Sequence, residues 1–173
     1  MGTRRRSREL AMQALFCLDS SQDDFSEQLA LFCRCFPPPR KARRFFFNLV
    51  HGVTLARKNI DHIIERFSNN WKISRMSGVD RNVLRLAVFE MLYCQDIPAK
   101  VSINEAIDVG KKFGTDESGA FINGILDSVR IAIEQFEIKA DPDIQQTIEK
   151  ELAAMAEEGS PEQADPSANH LVS

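Results

Sequence analysis

Residues 79–94, VDRNVLRLAVFEMLYC, carry Val79, Val83, Leu84, Leu86, Ala87, Val88, Phe89, Met91 and Leu92 on nearly every side of a helical projection. A helix apolar all round has no face to give to water, so other elements must surround it. Ser77-x-x-Asp80 has the form of an N-terminal cap for it, and Ile97-Pro98 ends it, because the residue before proline avoids helical angles. A chain of 173 residues with such a segment is expected to fold as one compact unit around it.

The remaining patterns share the helical period. Arg4 to Leu18 places Leu10, Ala11, Ala14, Leu15 and Leu18 on one face. Asp24-x-x-Glu27 reads as a capping box opening a second helix that Pro37-Pro38-Pro39 stops. Arg40 to Asn69 reads as one long helix or two, with Gly52 as a point of close packing. Ser102-x-x-Glu105 reads as a further capping box for a helix ending at Gly114. A last strong helix is expected from about Asp116 to Phe136, with Ile122, Ile125, Leu126, Val129, Ile133 and Phe136 as its stripe. From 138 to 173 the sequence is acidic and poor in aromatics, and a tail without fixed structure is expected, with at most a transient helix over 144–155.

Charge divides the chain. Residues 1–112 hold 19 Lys+Arg against 12 Asp+Glu, and residues 113–173 hold 3 against 13, which together give the formal −3. Basic residues gather at Arg4, Arg5, Arg6 and Arg8 and again at Arg40, Lys41, Arg43 and Arg44. Cations at a helix start oppose the helix dipole, so the first cluster calls for an anionic ligand. A nucleic acid is the favoured one, against a merely solvated terminus.

Several function classes lack their residues. No apolar run approaches the roughly 18 residues of a membrane span, and the arginine-rich start is no secretory signal. Neither glycine-rich phosphate-loop spacing occurs. Cys17, Cys33, Cys35 and Cys94 form no zinc spacing and read as reduced, mostly buried thiols of a cytoplasmic protein. His51 and His62 read as one packed and one surface histidine, and acidic pairs such as Asp116-Glu117 are explained by helix starts. No catalytic residue, metal or cofactor is therefore expected.

Four blocks in order carry a resemblance: Arg4-Arg5-Arg6-Ser7-Arg8-Glu9-Leu10-Ala11 with Gln13-Ala14-Leu15; Val79-Asp80-Arg81 leading into Val83-Leu84-Arg85-Leu86-Ala87 and Glu90; Ile103-Asn104-Glu105-Ala106; and Phe121-x-Asn123-Gly124-x-Leu126-Asp127. Together they resemble the NusB family of transcription antitermination factors. The resemblance implies an all-α helical bundle over 1–137, built of an N-terminal three-helix unit and a unit around the central helix, with the boundary near 70–78. It implies binding of single-stranded boxA RNA of ribosomal leader transcripts as a heterodimer with the ribosomal protein NusE, within an RNA polymerase antitermination complex and without catalysis.

Carried onto this chain, the RNA-facing residues would be Arg4, Arg5, Arg6, Arg8, Phe16, Glu117 and Phe121, with Phe16 standing where relatives often have tyrosine. The partner-facing residues would be Asp80, Val83 and Leu84, although periodicity alone assigns Val83 and Leu84 to the core. Two other readings attach to the same module. One is the RNA-binding accessory domain of a ribosomal RNA cytosine methyltransferase, for which too little chain follows residue 137. The other is a self-associating scaffold, in line with homodimers that hide the RNA surface.

Overall fold

The computed structural model describes residues 2–158, and every regular element among them is helical. Helix α1 (Thr3–Asp19) is followed by α2 (Phe25–Cys35), a short 3₁₀ turn (Arg40–Ala42) and α3 (Arg43–Phe67). A second 3₁₀ turn (Ile73–Arg75) leads to α4 (Gly78–Tyr93), then α5 (Ala99–Phe113), α6 (Ser118–Glu134) and α7 (Pro142–Glu158). The long basic segment is thus one continuous helix of 25 residues.

The expected caps form where they shape the bundle. Asp24 accepts hydrogen bonds from the Ser26 and Glu27 backbone amides, and Ser77 from that of Asp80. Helix α4 takes the central place that its apolar circumference requires, packing against α1, α3, α5 and α6. Phe89 is wholly buried and lies over Gly52 of α3, where a methyl group built on the glycine would overlap the phenyl ring. Gly52 therefore sets how closely α3 and α4 approach.

Four expectations are corrected. Ser102-x-x-Glu105 is not a cap, because α5 already starts at Ala99 after Pro98, and both side chains lie within the helix facing α1 and α4. Phe136 leaves its stripe: α6 ends at Glu134, and Phe136 takes a left-handed φ of 59° and stands exposed. Only Cys94 among the cysteines is buried; Cys17 and Cys35 are exposed and Cys33 is half-buried.

The fourth concerns the acidic end. Residues 142–158 form α7, which packs on α3, buries Ile148 and brings Glu151 within 3.7 Å of His51. A single apolar stripe including Ile144, Ile148, Leu152 and Met155 suffices once α3 offers a surface to cover. The rest of the expected tail, 159–173, lies outside the described residues. His51 packs edge-on to Phe25 at 5.3 Å, while His62 is exposed.

Candidate nucleic-acid interface

Successive side chains on an α-helix diverge by about 100°, so a run of arginines cannot present one face. The four arginines of α1 accordingly take four fates. Arg4 reaches back to Asp96, with Nη2 donating to Oδ2 at 3.1 Å. Arg5 turns to α5, donating twice to Glu105 at 2.8 and 3.0 Å and once to Asp108 at 2.7 Å. Arg6 points outward and donates to Glu9 at 3.3 Å.

Arg8 is a structural residue. Its side chain is 7% exposed, and it forks onto Glu90 of α4, itself 2% exposed, with Nε and Nη2 donating at 2.7 and 3.0 Å. Ser102 donates a third hydrogen bond to the same carboxylate at 2.7 Å, and Glu105 lies 3.5 Å from Arg8. A chain of alternating charge thus runs from the core to the surface: Glu90, Arg8, Glu105, Arg5, Asp108. Arg5's hydrogen bonds hold the Glu105 carboxyl below the usual carboxylate range, against the burial that opposes its ionisation and with help from Arg8.

Two accessible cations are organised around Glu9. This carboxylate is buried, yet it accepts from two half-exposed cations, Arg6 of α1 and Lys112 of α5, the latter at 2.9 Å. A buried anion gripping two cationic heads restrains their direction while leaving each head wet, which suits them to meet phosphates. Lys112 was not among the sequence candidates. Its signal was the Lys111-Lys112 pair in the last turn of α5, which helix-dipole reasoning explains without a ligand.

The aromatic candidates lie near other helix ends. Phe16, 46% exposed, lies over Gly78 at the start of α4, where any Cβ would strike its ring. Phe121 is half-buried in the first turn of α6 and meets Trp71 edge-on, with centroids 6.0 Å apart; Trp71 itself is exposed and was also missed. Glu117 is exposed immediately before α6 and makes no side-chain capping bond.

The candidate partner face separates. Val83 and Leu84 are 2% and 0% exposed and belong to the core, as their periodicity required, so a partner cannot reach them in this fold. Asp80 is half-buried in the first turn of α4, and its Oδ1 has no hydrogen-bond partner among the described residues.

One polar cluster was not foreseen. Asp19, at the end of α1, accepts from Arg57 of α3 at 2.9 Å and from Arg81, Asn82 and Arg85 of α4 at 3.0–3.2 Å. Burial opposes its ionisation, but the Asn82 amide and then Arg85, Arg57 and Arg81 outweigh it and hold the carboxyl below its ordinary range. With Arg8–Glu90 toward the other end of α1, this cluster fixes α1 against α4 at two points.

Residues 5–130 match the model of the NusB family. A transcription antitermination protein NusB of Desulfatibacillum aliphaticivorans is 57% identical over 131 residues, which are 76% of this chain and 92% of that protein. The fold is similar to the solved structure of T. maritima NusB, with a TM-score of 0.68 and 37% identity over 78% of this chain and 97% of that one. It is also similar to the antitermination factor NusB in a crystal structure with NusE and double-stranded RNA, with a TM-score of 0.68 and 25% identity over 75% of this chain and 97% of that one. The family-model match spans well over half of the chain, the relatives and the fold agree with it, and this chain belongs to the NusB family.

Proposed function

We propose that this protein is a non-catalytic transcription antitermination factor that binds boxA-type single-stranded RNA jointly with NusE. The observation that carries the reading is the Glu9-centred pair of accessible cations, Arg6 and Lys112, on α1 and α5. Family membership and the likeness to a NusB seen with NusE and RNA support it.

RNA recognition on this surface divides the labour. Arg6 and Lys112 neutralise phosphates. Arg4, on another side of α1, is also available to a phosphate, because an exposed pair such as Arg4–Asp96 is worth only about 0–1 kcal/mol and a phosphate can replace the carboxylate. Arg5 keeps Glu105 and can release Asp108, whose side chain is half exposed. Phe16 and Phe121 offer faces for bases, each stacked base contributing about 1–3 kcal/mol. Glu117 lies at the edge of this surface as an acceptor for a base amine. Arg8 holds the platform and touches no RNA. NusE meets the start of α4 around the half-buried Asp80, and the family's role in the polymerase complex follows from the joint binding.

The test is titration of a boxA RNA into the protein with and without NusE from the same source. Binding that tightens in the presence of NusE and weakens with a scrambled RNA is the expected result. Equal affinity for both RNAs, unchanged by NusE, would overturn the reading.

A further inference from the structure

The second basic cluster, Arg40 to Arg44, is far from α1 in sequence but not in space. The Ser7 hydroxyl of α1 donates to the Ala42 carbonyl at 3.3 Å and pins the first turns of α1 to the junction between the 3₁₀ turn and α3. Two helix starts, each rich in cations that its own dipole disfavours, therefore stand side by side. Between them opens a surface cavity of about 550 Å³ whose lining includes Arg4, Lys41, Arg44, Phe45, Asn48 and Asp96.

The charge in that cavity is unbalanced. Arg4 has Asp96, but Lys41 and Arg44 are exposed and have no carboxylate within salt-bridge distance among the described residues. Phe45 forms a ring floor, with the guanidinium carbons of Arg4 and Arg8 each 5.1 Å from its centroid, so Arg4 is held toward the cavity by a cation–π contact as well as by Asp96. At the wall, Asn48 donates to the Cys94 sulfur at 3.6 Å while its Oδ1 has no partner.

We propose that this cavity is a second phosphate-binding site, formed by Arg4, Lys41 and Arg44, that takes the sugar-phosphate backbone of an RNA strand continuing beyond the Glu9-centred contact. The inference rests on the RNA-binding reading above and extends it. Arg4 and Arg6, two residues apart on α1, point to different sides of the helix, so one strand passing over the start of α1 meets the Glu9-centred cations on one side and the cavity on the other. Three cations against one carboxylate suit a backbone read through charge.

The experiment compares a short boxA RNA of about 12 nucleotides, within the range of single-strand site sizes, with one of about 30 that carries the same element centrally and extends beyond that range, each titrated across salt concentrations. The parent protein and its Lys41→Ala/Arg44→Ala variant are used. Both side chains are exposed, and unchanged thermal melting verifies the fold. The variant is expected to bind the short RNA like the parent but the long RNA more weakly, with the slope of log affinity against log salt reduced in magnitude by about 1.4, two contacts at about 0.7 each. Lys41→Arg/Arg44→Lys should restore both quantities. Identical affinity and slope for the long RNA in parent and variant would overturn the second site while leaving the first contact standing. Failure of the parent protein to bind either RNA would overturn both.

Discussion

Replacing Arg8 with alanine is expected to cost about 3–5 kcal/mol of folding stability, the penalty for stranding a buried charge. Glu90 is 2% exposed and would keep only the Ser102 hydroxyl. Against a typical total of about 5–15 kcal/mol, this variant should show a strongly lowered urea midpoint with an unchanged slope. Any loss of RNA binding would then follow from unfolding, so Arg8→Ala is unsuitable as a probe of RNA contact despite its place in the arginine run. Arg8→Met combined with Glu90→Met should recover most of the stability, because both charges leave the interior together. A loss below about 1 kcal/mol in Arg8→Ala would show that the pair does not anchor α1 to α4.

Asp19→Ala is expected to cost about 2–3 kcal/mol, less than Arg8→Ala because Arg85 keeps its fork on Asp61 and the cluster is partly wet. Its effect should depend on pH in a definite direction. The folded-state pKa of Asp19 lies below its ordinary value near 4. Its contribution is therefore fully present above about pH 4 and is lost as pH falls through the lower folded value. Stability measured by denaturant from neutral pH downward should show parent and variant far apart at pH 7 and converging in acid. Part of the acid limb should survive in the variant, because Glu105 is shifted the same way by Arg5 and Arg8. A gap that stays constant with pH would mean that Asp19 does not hold the three arginines as a carboxylate.

The fold was legible because hydrophobic period and cap chemistry agree in this chain. The all-round apolar segment demanded neighbours, and α4 has them on four sides. Where the reading failed, short-range rules competed with a long-range partner that no local pattern reveals. Ser102 and Glu105 have capping-box spacing, yet Pro98 starts the helix a turn earlier and frees both side chains to serve Arg8 and Glu90. Residues 144–155 looked transient because a helix with one apolar stripe is marginal alone; α3 supplies the surface that stabilises it.

The candidate site was legible as a cluster of cations, but which of them stay accessible was not. A run of arginines announces an anion, but the 3.6-residue period scatters it, and only three-dimensional packing decides which member meets solvent. Arg8 went to the core because Glu90 faces it from α4, and Lys112 joined the accessible cations because Glu9 turns toward α5. Val83 and Leu84, drawn toward the partner face by resemblance, obeyed their periodicity instead.

RNA affinity across salt concentrations, compared between Glu9→Gln and the triple variant Arg6→Gln/Glu9→Gln/Lys112→Gln, tests the assignment of the accessible cations most directly. Neither protein carries a buried Glu9 charge, and the glutamine amides can keep the hydrogen bonds, so the two differ by the cations alone. The triple variant is expected to melt with Glu9→Gln and to bind RNA more weakly, its salt slope smaller in magnitude by about 1.4. Equal affinity and equal slope in the two proteins would contradict the placement of RNA on this surface.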